Sequence, residues 1–146
     1  MTASTAGLSS EEMSLLASAM DCILPSDDGP GASTAGAIGY AQRVIDREDF
    51  KDRMPCLVTG LDLLERMARA ACGRGFAECD ANQRNEFLAL LQKVPHASVQ
   101  RFFVTIVSMT VAGFLCDPDH GGNRGAVGWR FIRYIPHPAA TGVPTE

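Results

Sequence analysis

The hydrophobic and polar positions of the chain predict a series of amphipathic helices. Apolar residues recur three and four positions apart, which is the spacing of one buried helix face. The first segment, LSSEEMSLLASAMDCILP, has Ser9 as a predicted N-cap with Glu12 three residues later, a capping-box spacing, and Leu8 is placed to pack on Met13. Pro25 and the turn SDDGPG end this helix. Further helices are predicted at about 35–46, at about 53–71, between Asp80 and Pro95, and at 98–115.

The last of these helices is apolar nearly all round from Phe102 onward, a pattern typical of a helix in the middle of a bundle. Strand signals are weak throughout. We therefore expect an all-α protein: a single compact helical bundle of about five helices, followed by a glycine-rich loop and an aromatic segment. Residues 1–146 are predicted to form one domain, with tails at 1–7 and 136–146 that are flexible or bound by a partner.

Composition and charge exclude several classes of function. The net charge is −4 and only two lysines occur, so a nucleic-acid binder with clustered cations is not expected. The uncharged run from Phe102 to Cys116 is shorter than the ~20 residues of a transmembrane helix, and no membrane span is predicted. No basic residue precedes Arg43, so neither a secretory nor a twin-arginine signal is predicted. This favours a cytoplasmic protein, with a periplasmic location as the alternative if a leader was removed or a partner supplies one.

The five cysteines are spread through the chain without a CxxC pair, and an odd number cannot all pair with one another. A disulfide framework is therefore not expected. Cys22, Cys56 and Cys116 lie within apolar runs, where a free cysteine usually behaves as a small core residue.

The stretch CDPDHGGNRGAVGWRF, residues 116–131, is the densest group of chemically active side chains. A calcium loop is disfavoured because glycines stand where an EF-hand has its fifth and twelfth ligands. A phosphate loop is disfavoured because GxxxxGK[ST] and GxGxxG are both absent. His120, which follows Asp117 and Asp119 in the sequence, could act as an acid or base, but no nucleophile is apparent. A free-standing metal-binding protein or enzyme using the Asp117–Arg124 loop remains the alternative hypothesis.

A structural role accounts for more of these residues. Gly113 favours close helix packing, and Gly121 with Gly122 permit a turn with positive φ. Asn123 can bond its own backbone in that turn, and Arg124 can bridge carboxylates or carbonyls. The aromatic segment beyond, with Trp and Tyr among arginines, has the composition of a protein interface. The predicted partner-contacting residues are Asp27, Asp28, Asn123, Arg124, Trp129, Arg130, Phe131, Arg133 and Tyr134.

Two segments, ILPSDDGPGASTAG at 23–36 and GFLCDPDHGGNRGAVGWRFIRY at 113–134, resemble the gluconate 2-dehydrogenase subunit 3 family. The GGNR followed closely by GW is the specific part of the resemblance, and the intervening helices agree in number and order. Members are small subunits of bacterial FAD-dependent sugar and polyol dehydrogenases. The resemblance implies an accessory chain with no catalytic residue and no bound cofactor or metal, which supports the folding, stability or export of its partner.

The partner implied by the resemblance is a large subunit of the glucose-methanol-choline oxidoreductase type, which holds FAD and the catalytic histidine. Such subunits often pass electrons to an iron–sulfur cluster or to a separate cytochrome c subunit. The chain departs from many relatives in lacking a twin-arginine leader and in having Gly125 where an acidic residue often follows the arginine. It also has IPHPAATG near its C-terminus in place of a glycine-proline turn. The missing leader agrees better with cytoplasmic members that resemble glycoside 3-dehydrogenases, which oxidise the C3 hydroxyl of a sugar or glycoside.

Overall fold

The structure is a computed structural model, and it describes residues 7–136. Within this range the chain forms helices and turns without any strand, which confirms the predicted all-α class. Of the predicted tails, only Gly7 and Pro136 fall among the described residues. The helices are α1 (Ser10–Ile23), α2 (Ala32–Ala35), α3 (Ala37–Ile45), α4 (Met54–Cys72), α5 (Ala81–Gln92), α6 (Ala97–Leu115) and α7 (Val127–Ile132). Short 3₁₀ turns cover Glu48–Arg53, Phe76–Glu78, Pro118–His120 and Arg124–Ala126.

Local side-chain chemistry sets the helix ends where the sequence predicts them. The Glu12 amide donates to Ser9 Oγ at 3.1 Å, and the Ser9 amide donates to Glu12 Oε1 at 2.9 Å, which completes the capping box of α1. Asp80 caps α5 in the same way, accepting from the Gln83 amide at 2.8 Å. Gly73 ends α4 with φ of 71°. The short helices α2 and α7 are the elements that the pattern does not predict.

The core forms where α6 lies against α1, α3 and α4. Phe102 of α6 is fully buried and packs over Gly60 of α4, where any Cβ would overlap the ring. Gly113 faces Ala37 of α3 so closely that a Cβ on the glycine would lie 2.8 Å from the alanine Cβ. The predicted close packing at Gly113 is therefore confirmed, and it brings α3 beside the end of α6.

One face of α6 is not buried as predicted. Val104, Val107 and Val111 are 64%, 42% and 45% exposed, so the expectation of a helix covered on all sides is wrong for this face. Within residues 7–136, α6 is the one helix long and apolar enough to cross a membrane, at 19 residues. The core helix of a soluble protein meets the same criteria, and α6 has its other face in the core. The absence of a span stays a prediction from the sequence.

Candidate functional site

A compact loop reverses the chain after α6. The Asp117 carboxylate accepts from the Asp119 amide at 2.9 Å and caps the 3₁₀ turn that follows. Gly121 then adopts φ of 102°, as the sequence predicts. Gly122 does not have the positive φ expected of it. It lies directly on the backbone of Gly113 instead, where a Cβ would overlap the Gly113 carbonyl. The loop therefore folds back tightly onto the helix it follows.

Helix α3 holds the other side of this loop through two residues that the sequence analysis missed. Arg43 Nη1 donates to the Asp119 carbonyl at 2.7 Å. A Cβ on Gly39 would lie 2.6 Å from the Gly121 carbonyl oxygen, so the glycine allows the loop to rest on the helix. Both residues lie far from the loop in sequence, and only the packing of α3 on α6 brings them there.

Asn123 lies at the centre of the loop, completely buried and in the left-handed region with φ of 47°. Its Nδ2 donates to the Cys116 carbonyl at 2.7 Å, and its Oδ1 accepts from the Gly128 amide at 2.7 Å. The predicted bonding to nearby backbone is therefore present. The prediction that Asn123 contacts a partner does not agree with this placement, because its side chain has no exposed surface. It joins the end of α6 to the start of α7.

The predicted aromatic segment begins as a helix, α7, packed on the end of α6. Trp129 is half-buried, and its Nε1 donates to the Leu115 carbonyl at 2.8 Å. Its ring meets Tyr134 edge to face at a centroid distance of 5.3 Å. Phe131 meets Phe114 in the same manner at 6.2 Å, yet remains 56% exposed. Trp129 thus anchors α7, while Phe131 and Tyr134 keep surface available for another molecule.

The two segments that carry the family resemblance meet at this end of the protein. A Cβ on Gly29, in the SDDGPG turn, would lie 2.6 Å from Phe131 Cε1. The Arg124 guanidinium lies against Gly36, where a Cβ would be 2.5 Å from its Nε. Among residues 7–136 this arginine therefore packs on backbone, and the predicted bridge to carboxylates or carbonyls is not seen.

We call the surface formed here the docking end. Asp27 and Asp28 are exposed on the turn, and Arg130 and Arg133 are exposed on and after α7; Arg130 Nη1 also donates to the Gly125 carbonyl. Ile132 and Ile135, which are not among the predicted partner-contacting residues, are 50% and 84% exposed and extend the apolar part of this segment. The exposed side chains of the docking end are Asp27, Asp28, Arg124, Arg130, Phe131, Ile132, Arg133, Tyr134 and Ile135.

The residues of this loop do not form a metal or catalytic site within the range 7–136. In the described part of the chain, no three His, Cys, Asp or Glu side chains are grouped so that they could hold a metal ion. Asp117 is already engaged as a turn cap. Burial raises the pKa of the Cys116 thiol, so it stays protonated near neutral pH and is a poor nucleophile. The contacts of these residues support the loop structure.

A family model described as gluconate 2-dehydrogenase subunit 3 matches residues 10–136. The chain belongs to the gluconate 2-dehydrogenase subunit 3 family. The match runs from α1 to beyond α7, so it includes the whole docking end. Membership in this family makes the chain an accessory subunit that associates with the catalytic subunit of a dehydrogenase. No curated protein and no solved structure matches the chain.

Proposed function

We propose that this chain is the noncatalytic small subunit of a heteromeric FAD-dependent sugar or glycoside dehydrogenase. It supports the folding and stability of a large flavoprotein subunit of the glucose-methanol-choline type. That subunit carries FAD, and an iron–sulfur cluster or a cytochrome c subunit receives the electrons. The substrate class we propose is a sugar or glycoside oxidised at its C3 hydroxyl. We place the complex in the cytoplasm, with the periplasm as the alternative.

The observation that carries this proposal is the apolar surface of the docking end. Phe131, Ile132, Tyr134 and Ile135 are 56%, 50%, 43% and 84% exposed and follow one another closely along the chain. Covering such a surface is favourable by about 25 cal/mol for each Å² of apolar area. Exposed arginines flank it, and Tyr and Arg are enriched among the residues that dominate protein interfaces. This composition fits a surface that binds a large protein partner.

Hydrogen bonds join the elements beneath this surface, which favours tight association. The Trp129 indole is bonded to the end of α6, and the buried Asn123 side chain bonds the Gly128 amide in the first turn of α7. A surface that is already ordered loses less conformational entropy when it binds. The loop residues therefore act indirectly, because they present α7 and the residues after it to the partner.

The test is coexpression with a flavoprotein subunit of the proposed type, followed by size exclusion with absorbance recorded at protein and flavin wavelengths. We expect coelution with the flavin, and loss of soluble flavoprotein when this chain is omitted. A flavoprotein that is folded and fully active without the chain would contradict the accessory role.

The docking end is tested with Ile132→Glu and Ile135→Glu, which place charge in the exposed apolar surface. Each should weaken the complex at least about tenfold, an effect of about 1.4 kcal/mol. Leu90→Glu is the matched control, because Leu90 is 55% exposed on α5 and should leave binding unchanged. Trp129→Ala is a less selective variant, since it also removes the bond to Leu115. Wild-type coelution of both isoleucine variants would exclude this surface as the interface.

A further inference from the structure

The SDDGPG turn between α1 and α2 contains the one Asp-Gly pair of the sequence, Asp28 and Gly29, and no Asn-Gly pair occurs. An aspartate followed by glycine forms a cyclic imide more readily than other aspartates, because glycine has no Cβ to hinder attack by its amide nitrogen. Asp28 is exposed and lies in a bend outside any helix. The pair therefore has a sequence and a setting that favour rearrangement of the main chain.

Hydrogen bonds close the base of this turn. The Ala32 amide donates to the Leu24 carbonyl at 2.8 Å, and the Ser33 amide donates to Asp21 Oδ1 at 3.0 Å. Among residues 7–136, the Gly29 amide has no acceptor. An amide nitrogen that makes no such bond loses no protein contact when it turns toward the carboxyl group of the preceding residue.

The Asp28 carboxylate is also unengaged. Within the described range it takes part in no ion pair and accepts no hydrogen bond. Asp21, Asp80 and Asp117, in contrast, each accept a bond from a backbone amide. Those carboxylates must lose a bond before their carbon can be attacked, whereas Asp28 Cγ can reach the Gly29 nitrogen by rotation of its own side chain.

Packing at the docking end favours glycine after Asp28. A Cβ at Gly29 would lie 2.6 Å from Phe131 Cε1, and Phe131 belongs to α7. The contact that joins the turn to α7 thus also places the reactive pair beside Phe131. A change in the main chain between Asp28 and Gly29 would alter this contact directly.

We propose that Asp28 is a modification site, at which the unassembled chain converts the peptide bond to Gly29 into an isoaspartyl bond through a cyclic imide. The main chain gains one carbon atom in the turn, and the carboxylate is displaced. The consequence for binding rests on the function proposed above: the altered turn no longer fits Phe131, and the flavoprotein binds the modified chain less tightly. A bound partner covers the docking end and slows the reaction.

The reaction needs water and neither an oxidant nor a reductant. The Gly29 nitrogen bonds to Asp28 Cγ, and its amide proton leaves with the hydroxyl of the protonated carboxyl group as water. The product is a five-membered imide, which water then opens at one of its two carbonyl carbons. Cleavage of the bond from nitrogen to Cγ restores aspartate, and cleavage of the bond to the main-chain carbonyl carbon gives isoaspartate. One water is released and one is consumed, so the mass of the chain is unchanged.

The experiment incubates the purified full chain in mildly acidic buffer at physiological temperature and maps its tryptic peptides over several weeks. Trypsin first cleaves after Arg43, so Asp21, Asp27 and Asp28 all lie in peptide 1–43. Electron-transfer fragmentation locates isoaspartate, because its altered main chain gives fragment ions that aspartate does not. We expect a second peak of unchanged mass and a minor peak lighter by one water. Isoaspartate should form at Asp28 at least about tenfold faster than at Asp27 or Asp21.

Asp28→Glu keeps the charge but would require a six-membered imide, which forms far more slowly, so this variant should lose the rearrangement. Asp27→Glu makes the same change at the neighbouring exposed position and should retain it. A synthetic peptide of residues 23–36 is the positive control for the conditions. The proposal is overturned if this peptide rearranges while the full chain does not, if isoaspartate forms mainly at another aspartate, or if Asp28→Glu behaves like the wild type.

Binding is measured separately on the incubated chain, mixed with the flavoprotein and resolved by size exclusion. The isoaspartate form should be depleted from the flavin-containing fraction and enriched in the free chain. Equal content in both fractions would overturn the consequence for binding. Failure of the fresh chain to coelute would contradict the proposed function instead, and the peptide map would still decide whether Asp28 is modified.

Discussion

Replacing Asn123 with alanine should release α7 from the end of α6. The Asn123 side chain is completely buried, and it satisfies the Cys116 carbonyl and the Gly128 amide at 2.7 Å each. Alanine leaves both backbone groups without these partners in a buried loop. It also places a residue with no polar side chain at φ of 47°, a conformation that asparagine adopts more readily.

The expected loss of stability follows from these contacts. Each buried backbone group left without a partner costs about 1–2 kcal/mol. The left-handed backbone adds about 1 kcal/mol for alanine. The free energy of unfolding should therefore fall by about 3–5 kcal/mol, a large fraction of the 5–15 kcal/mol that is typical of a domain.

Urea unfolding should be followed by both helical circular dichroism and tryptophan fluorescence. Trp129 is the only tryptophan, so its fluorescence reports on α7 and the end of α6. In the Asn123→Ala variant we expect a red-shifted emission in the absence of urea and a midpoint lowered in both signals. Asn82→Ala, at an exposed position of α5, is the control and should change stability by less than about 0.5 kcal/mol. A loss under about 1 kcal/mol with unchanged emission would refute the bracing role of Asn123.

Three further predictions concern the loop and the thiols, and each is measured by urea unfolding. Gly122→Ala should lower the free energy of unfolding by more than about 2 kcal/mol, because the added Cβ overlaps the Gly113 carbonyl. Gly125→Ala, whose Cβ meets open space at φ of 61°, should lower it by only about 1 kcal/mol, and equal losses would contradict this. Arg43→Ala should cost about 1 kcal/mol through the lost bond to Asp119, and an unchanged midpoint would show that this bond contributes little. Burial raises the native pKa of three thiols, so the stability they contribute is present below their ordinary pKa of about 8.5 and is lost as the pH rises above it. The three thiols are those of Cys22, Cys79 and Cys116. Replacing all three residues with alanine should reduce the fall in the free energy of unfolding between pH 7 and pH 10, and an unaltered fall would exclude these thiols as its cause.

The helices were predictable because their signals are local. The capping boxes of α1 and α5 use side chains three residues apart. The box of α1 is present as the sequence predicts, and α5 begins directly after Asp80 as expected. Gly73 ends α4 through its own backbone conformation. The five longer helices follow in the predicted order with boundaries close to those expected. None of these features needs knowledge of distant parts of the chain.

The candidate site was only partly predictable because its geometry depends on contacts between distant segments. The burial of Asn123 follows from the way Gly122 folds onto Gly113, which the composition of the loop does not reveal. The six-residue helix α7 is too short for a periodic pattern, and Trp129 stabilises it by bonding to α6. The exposed face of α6 carries valines and is as apolar as its buried face, so the sequence alone could not show which face is exposed.

The contact between the SDDGPG turn and α7 leads to a prediction that separates interface geometry from stability. Gly29→Ala places a Cβ 2.6 Å from Phe131 Cε1, and the exposed phenylalanine can move away at little cost. We therefore expect a stability change below about 1 kcal/mol, together with weaker coelution with the flavoprotein. If the effect acts through Phe131, adding Gly29→Ala to a Phe131→Ala variant should weaken binding no further, because residues in contact are not additive. Full additivity of the two losses would show that the turn contacts the partner independently, and unchanged binding of both single variants would remove Phe131 from the interface.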